Sequence, residues 1–281
     1  MLELMLPALV AALILVASHG YLGIHVIARG VIFVDLALAQ VAALGYTAAT
    51  LLGYAPGSGV GYALGIGATL LGALLFSVTR IEHEFITQEA IIGIVFVVAS
   101  AGTILLAAQA PRGSEHVEEL LAGSLLWVTW PQIIKLAAAY VAIFFLHWVF
   151  RDRFLTISLD PDSARRVGWS VGGWDFLFYG LFGLVVTMSV AIAGVLLVFT
   201  FLVIPAVIAF LFTSRPAPLM AITLASGSAA TIGGLYTSYQ TDLPTGPVVV
   251  CSFAVTLAAA YLIRRLGQAR VLEGREIDGN T

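Results

Sequence analysis

The sequence predicts an all-α membrane protein with about nine transmembrane helices and a short helix in one cytoplasmic loop. Two observations carry this fold class. Hydrophobic residues make up 60% of the 281 residues and charged residues 10%, whereas soluble proteins carry roughly 25% charged residues. The apolar residues also form charge-free stretches, each long enough for a membrane helix of about 20 residues. This composition excludes a water-soluble globule.

The charge-free stretches place the spans in order along the chain. We expect spans near residues 4–19, 27–52, 60–79, 89–110, 131–150, 175–193, 195–213, 217–236 and 247–264. The stretch Phe176–Ser214 needs a break, because its 39 residues would form one helix of about 58 Å in a hydrocarbon core of about 30 Å. We expect the chain to turn near Ala193–Gly194. Residues 1–265 then form one transmembrane domain, and residues 266–281 form a polar cytoplasmic tail.

The positively charged loops give the orientation. Arg151, Arg153, Arg165 and Arg166 lie in one loop, and four further arginines lie beyond residue 263. Both regions are expected in the cytoplasm, because cytoplasmic loops are enriched in Lys and Arg. An even number of crossings must therefore lie between this loop and the C-terminal tail. A turn near Gly194 divides the long apolar stretch into two spans, which makes the number of crossings four. The result is nine crossings with an external N-terminus, and eight crossings is the alternative.

Several function classes are excluded by the composition and by missing motifs. The single cysteine, Cys251, cannot form an intrachain disulfide or a cysteine metal cluster. The net charge of −3 comes without the basic patch of a nucleic-acid-binding chain. The sequence also lacks the phosphate-loop motif Gly-x-x-x-x-Gly-Lys-Ser/Thr and the catalytic motifs His-Glu-x-x-His and Gly-x-Ser-x-Gly. Any ATP hydrolysis must therefore come from another chain, and an intramembrane enzyme is the least favoured class.

The long hydrophilic loop between the fifth and sixth spans carries signals for a short helix. The segment consists of Asp160, Pro161, Asp162, Ser163, Ala164, Arg165, Arg166, Val167 and Gly168. Asp160 can cap a helix, Pro161 suits its first position and Gly168 can end it. We expect this helix on the inner membrane surface, where Ala164 and Val167 would be displayed to an intracellular partner. An ordinary capped connecting turn is the alternative.

Five segments carry a resemblance to a known family. They read Gln88-Glu-Ala-Ile-Ile-Gly-Ile94, Leu121-Ala-Gly-Ser-Leu-Leu-Trp127, Asp160-Pro-Asp-Ser-Ala-Arg-Arg-Val-Gly168, Ala193-Gly-Val-Leu-Leu-Val198 with Leu202-Val-Ile-Pro-Ala206, and Ser238-Tyr-Gln-Thr-Asp-Leu-Pro-Thr-Gly-Pro247. In this order they resemble the ABC-3 permease subunits of zinc and manganese ABC importers. Together they cover most of residues 23–250.

The resemblance implies a role and a set of partners. The chain would be a permease subunit in the bacterial plasma membrane, not an enzyme. It would work with cytoplasmic ABC ATPase subunits, an extracytoplasmic metal-binding protein and a second permease subunit, as a homodimer or a pair. Residues 160–168 would be the coupling helix that contacts the ATPase. No cofactor would be stably bound, and a divalent transition metal ion, zinc or manganese and also iron, would be the cargo.

Asp35 is the principal candidate for the metal pathway. An ionisable residue inside a span costs roughly 2.5–3.5 kcal/mol on insertion scales and marks function by default. Its carboxylate could hold a cation transiently with the carbonyl oxygen of Gln40 nearby. Pairing of Asp35 with Arg29 or with a backbone group, which would only lock the packing, is an equal alternative. The resembling family commonly has an acid and a histidine four residues apart here, whereas Asp35 and Gln40 lie about 140° apart around a helix. Oxygen donors without an imidazole favour a harder ion such as manganese over zinc.

Two further groups are candidate functional residues. The first is an external turn that could act as a gate or contact the delivery protein, and its residues are Asp242, Pro244, Thr245, Gly246 and Pro247. The second group could collect or release a cation, and its residues are His25, His83, His116, Glu118 and Glu119. Clusters of such residues more often belong to solvated loops.

Two rival functions remain open. An ion-driven secondary transporter would need no ATPase, and nucleotide-free uptake in proteoliposomes would identify it. Within the importer class, a metal chelate or another small solute could be carried instead of the free ion.

Overall fold

The computed structural model describes residues 2–55, 58–79, 87–109, 123 and 125–278. Eleven α-helices and one short 3-10 turn form most of these ranges, which contain no β-strand. The helices are α1 (Leu2–Arg29), α2 (Val34–Leu51), α3 (Gly59–Val78), α4 (Gln88–Ala107), α5 (Trp130–Val149), α6 (Arg151–Leu159), α7 (Pro161–Arg166), α8 (Val171–Ala193), α9 (Val195–Phe212), α10 (Pro216–Thr241) and α11 (Thr245–Asp278). The 3-10 turn is Leu125–Trp127. The predicted all-α class is confirmed.

Nine helices within the described ranges are long and apolar enough to cross a membrane. They are α1 to α5 and α8 to α11, which agrees with the predicted number. Helices α6 and α7 lie between the fifth and sixth of these spans, where the sequence predicted a hydrophilic loop with one short helix. The structure therefore adds a second short helix, α6, to that loop.

The first helix is longer than predicted. The sequence suggested that the first span ends near residue 19, but α1 continues to Arg29 and the reversal falls at Gly30, which has φ 67°. Gly23 lies where α1 crosses α9, and a Cβ there would lie 2.0 Å from the carbonyl oxygen of Leu202. This glycine allows the two backbones to approach and does not end the helix. As a result, His25 lies inside α1.

The predicted break in the long apolar stretch is confirmed. Helix α8 ends at Ala193 and α9 begins at Val195. Gly194 between them has φ 76° and ψ 161°, a conformation that essentially only glycine adopts. Gly123 packs against this corner, since a Cβ on it would lie 2.1 Å from the carbonyl carbon of Ala193. The corner is therefore fixed both by its own backbone and by the contact with Gly123.

The centre of the molecule is built from α1, α2, α8 and α9, whose apolar side chains belong to one continuous core. In α2 and α8, 72% of the apolar span is buried, against 22% in α4 and 17% in α11. Helices α4 and α11 thus present apolar faces outward. Polar groups inside the core must find partners within the protein, because hydrocarbon offers none.

The last helix extends past the predicted end of the membrane domain. Helix α11 continues to Asp278, whereas the sequence showed no evident fold for the tail after residue 265. The division into a transmembrane domain and a cytoplasmic tail at this position stays a prediction.

Candidate functional site

Asp35 lies in the first turn of α2 and is only 1% exposed. Its Oδ1 atom is buried and has no hydrogen-bond partner among the residues that the structure describes. The alternative in which Arg29 neutralises Asp35 is not what the structure shows, because Arg29 forms its ion pair with Asp175, at 2.8 Å. Asp35 is thus a buried acid with an unsatisfied oxygen, and an ionisable residue of this kind inside a span is a functional candidate.

Gln40 lies on the same helix and is 9% exposed. Five residues of an α-helix correspond to about 140° of rotation and a rise of about 7.5 Å. The helix therefore directs the two side chains to different sides. This agrees with the angle of about 140° that the sequence predicted. The role of Gln40 in a pathway stays a prediction.

A buried polar network near Asp35 was missed by the sequence analysis. It joins His19 of α1, Tyr140 of α5 and Ser189 of α8, and Asp35 lies within electrostatic range of Tyr140. His19 Nδ1 lies 3.0 Å from the Leu15 carbonyl oxygen and must donate to it, which leaves Nε2 as an acceptor 3.1 Å from Ser189 Oγ. The single hydroxyl hydrogen of Ser189 has two acceptors within reach, the Val185 carbonyl oxygen at 2.6 Å and His19 Nε2. The Tyr140 hydroxyl contacts Ser189 Oγ and can donate to it.

Glu89 of α4 positions the start of α2. Its Oε1 atom accepts a hydrogen bond from the backbone N–H of Phe33, at 3.1 Å, so the carboxylate caps the N-terminal end of the helix that carries Asp35. The neighbouring Gln88 donates through Nε2 to the carbonyl oxygen of Phe76 in α3, at 2.9 Å. The first contact holds α4 against the turn between α1 and α2, and the second holds it against α3. Glu89 is thus an anchor for the Asp35 helix.

The predicted helix in the cytoplasmic loop is present as α7. Asp160 caps it, since Oδ1 accepts from the backbone N–H of Ser163 at 3.0 Å and Oδ2 accepts from its hydroxyl at 2.5 Å. These two hydrogen bonds hold the pKa of the Asp160 carboxyl below its usual value, and the bond from the Ser163 hydroxyl has the larger effect. Pro161 begins the helix, and Gly168 follows it with φ 78°.

The display of side chains on α7 differs from the expectation. Ala164 is completely buried against Ile157 and Val171, because its small side chain lets α7 pack onto α6 and the start of α8. Val167 is 64% exposed, and Arg165 and Arg166 lie on the exposed part of the segment. The surface available to a partner therefore consists of Val167 and the charged residues, without Ala164. Contact between residues 160–168 and an ATPase stays a prediction.

The external candidate segment runs from the end of α10 into the first turn of α11, which begins at Thr245. Asp242 ends α10 in the left-handed conformation, with φ 53°. Ser238 ties the segment together by donating to the carbonyl oxygen of Leu243, at 2.8 Å, and by contacting the Thr245 hydroxyl, at 3.0 Å. Residues 242–247 face the Leu125–Trp127 turn across a cavity of about 340 Å³. Two segments that lie far apart in the sequence thus meet at one end of the helix bundle.

The histidine candidates are not gathered into a metal site in the part of the chain that the structure describes. His25 is 4% exposed and lines a cavity of about 530 Å³ together with His147 and Arg151. His147 donates through Nδ1 to the Ile143 carbonyl oxygen, at 3.1 Å, and stacks on Phe154. Within the described ranges, no three His, Cys, Asp or Glu side chains are close enough to hold a metal ion. The candidates His83, His116, Glu118 and Glu119 lie outside the described residues.

Comparison with known proteins identifies the family to which these features belong. The ABC 3 transport family matches residues 1–264. A manganese transport system membrane protein of Synechocystis is 25% identical over 201 residues, which are 72% of this chain and 62% of that protein. A chelated iron transport system membrane protein of Yersinia pestis is 25% identical over 197 residues, which are 69% and 67% of the two chains.

The fold has a close counterpart among solved structures. The PsaBC complex of Streptococcus pneumoniae, solved with a Fab, contains a chain that superimposes with a TM-score of 0.76 at 23% identity, covering 91% of this chain and 90% of that one. The resemblance seen in the sequence is therefore confirmed. The protein belongs to the ABC 3 transport family, as a multi-pass permease subunit of the bacterial plasma membrane and not as an enzyme.

Proposed function

We propose that this subunit forms the membrane pathway for a divalent transition metal ion in an ABC importer. The observation that carries the proposal is Asp35, a buried carboxylate with an unsatisfied oxygen in the first turn of a central helix. Leaving such a group in the membrane costs roughly 2.5–3.5 kcal/mol, and a passing cation would offset that cost.

Manganese or iron fits the residues better than zinc. The pathway candidates Asp35 and Gln40 supply oxygen donors, which suit harder ions, whereas zinc is commonly bound by imidazole or thiolate. The relatives named for manganese and for chelated iron transport point the same way. A chelate stays the alternative cargo, because one relative is named for chelated iron.

The proposed complex contains three kinds of partner. ATPase subunits would contact residues 160–168 from the cytoplasm, where Val167 and the two arginines of α7 are exposed. A metal-binding protein would dock on the opposite side, at residues 242–247 and the Leu125–Trp127 turn. A second copy of this chain would complete the pathway, in keeping with the resemblance to paired permeases. No cofactor is stably bound in this proposal, since the metal is the cargo.

The experiment compares metal uptake by variants of the complete importer in proteoliposomes. Asp35→Asn removes the charge but keeps the shape, so ATP-dependent uptake of radioactive manganese should fall at least about tenfold, if the carboxylate contributes one charge-assisted contact. Thr47→Val is the matched control, because Thr47 is buried in the same helix and donates only within it, to the Ala43 carbonyl oxygen.

The two variants give opposite outcomes under this proposal. Thr47→Val should transport at the wild-type rate. If Asp35→Asn also transports at that rate while the complex assembles normally, Asp35 is not on the pathway. Competition by excess free manganese, iron or zinc, or by an iron chelate, then identifies the cargo in the wild-type complex.

A further inference from the structure

The end of α1 is tied to two other helices through a single side chain. Arg29 donates through Nε to Ser158 Oγ of α6, at 2.7 Å, and through Nη1 to Asp175 Oδ1 of α8, at 2.8 Å. Its guanidinium carbon also lies 3.8 Å from the ring centre of Phe178. The side chains of Arg29 and Asp175 are only 6% and 1% exposed. We call these four residues the Arg29 latch.

Ser158 connects the Arg29 latch to the cytoplasmic loop that contains α6 and α7. Ser158 lies two residues before Asp160, the cap of α7. Ile157, Ala164 and Val171 form a small apolar cluster of their own, so α6, α7 and the start of α8 are packed as one unit. A displacement of α7 is therefore carried to Ser158.

Arg29 connects the latch to α2, the helix that carries Asp35. Arg29 is the last residue of α1, and a tight turn at Gly30 separates it from α2, which holds Asp35 in its first turn. The turn has little freedom, because the N–H of Phe33 is bound by Glu89 on α4. A displacement of Arg29 therefore also displaces the start of α2.

We propose that the Arg29 latch transmits the movement of the cytoplasmic α6–α7 unit to Asp35. In this role Arg29 and Ser158 are positioning residues, which act on the pathway through α2 and do not contact the metal. The buried guanidinium makes the link stiff, because leaving an ionised group without partners in the core is costly. The inference rests on the proposed function, since it assumes a metal pathway at Asp35 that is driven from α7.

The experiment measures how many metal ions are imported per ATP hydrolysed by the complete importer in proteoliposomes. Ser158→Ala removes the acceptor for Arg29 Nε but keeps the ion pair with Asp175. Because a hydrogen bond to a charged group is involved, the ratio should fall about tenfold while ATP hydrolysis continues. Thr156→Ala is the matched control on the same helix, since Thr156 donates to the Asp152 carbonyl oxygen of α6 itself. Its ratio should stay at the wild-type value.

A second pair of variants separates the latch from a general loss of structure. Arg29→Lys keeps a positive charge for Asp175 but lacks the Nε donor, so its ratio should fall as far as that of Ser158→Ala. The double variant should be no worse than either single variant, since all three lack the same hydrogen bond. Independent, multiplying effects would overturn the latch, because they would show two unrelated defects.

The outcomes distinguish this inference from the proposed function. A wild-type complex that imports metal, together with a normal ratio in Ser158→Ala, overturns the latch alone. A wild-type complex that hydrolyses ATP and imports no divalent metal overturns the proposed function and the latch with it.

Discussion

At the scale of single residues, two buried aspartates in the described part of the chain have opposite environments. Asp175 is paired with Arg29 at 2.8 Å, whereas Asp35 has a buried oxygen without a partner. The first arrangement holds helices together, and the second leaves capacity for a cation. Removing one member of a buried pair leaves the other charge uncompensated, which is more damaging than removing both.

This contrast predicts a difference between single and double substitutions of the ion pair. Asp175→Leu should destabilise the subunit by about 3–5 kcal/mol, because it strands the Arg29 guanidinium in the core. The double variant Arg29→Met with Asp175→Leu should recover much of that loss. Thermal unfolding of the purified protein in detergent measures both. Equal melting temperatures for Asp175→Leu and the wild type would show that the pair is not needed for stability.

Sequence reasoning found some of these residues and missed others for physical reasons. Asp35 was identifiable because an ionisable residue inside an apolar span is a functional candidate by default. The contact between His19 and Ser189 was not, because the two residues are 170 positions apart and each is an ordinary polar residue within its own helix. The burial of Ala164 was also hidden, since alanine is compatible with both surface and core.

At the scale of helices, glycines set how closely neighbours pack. A Cβ on Gly45 of α2 would lie 2.5 Å from the backbone oxygen of Leu64 in α3, so the two helices touch through their backbones. Gly67 of α3 has no atom within 4 Å of the position of its Cβ in the described part of the chain. The same residue type is therefore required at one position and replaceable at the other.

Alanine substitutions should separate these two glycines. Gly45→Ala should cost about 1–3 kcal/mol, because the backbone of α3 must move away. Gly67→Ala should be neutral or stabilising by up to about 1 kcal/mol, since alanine favours the helix. Melting temperatures in detergent provide the comparison. An unchanged melting temperature for Gly45→Ala would contradict the close contact between α2 and α3.

Helix boundaries were predictable where length imposed them. The break at Gly194 followed from a stretch too long for one span, and the structure confirms it. The end of α1 was placed near residue 19, whereas the helix continues to Arg29 and Gly23 within it packs against Leu202. A glycine that ends a helix and one that permits packing are alike in a single sequence.

At the scale of the whole molecule, the proposed complex needs contacts on both membrane surfaces. Val167→Glu should weaken association with the ATPase, because Val167 is 64% exposed beside Arg165 and Arg166, and a new carboxylate alters that surface. Co-purification of the ATPase with the permease measures the effect. Ala164→Glu is unsuitable, since it would place a charge among the buried residues that hold α7. Undiminished co-purification of Val167→Glu would exclude Val167 from that interface.

The central claim is that this subunit moves a divalent metal only when a separate ATPase drives it. The most direct test is uptake of radioactive manganese by proteoliposomes that contain this subunit with or without the ATPase with which it co-purifies, in the presence and absence of ATP. We expect accumulation only when both ATPase and ATP are present. Equal accumulation by the subunit alone, driven by a proton or sodium gradient, would contradict the account and identify a secondary transporter.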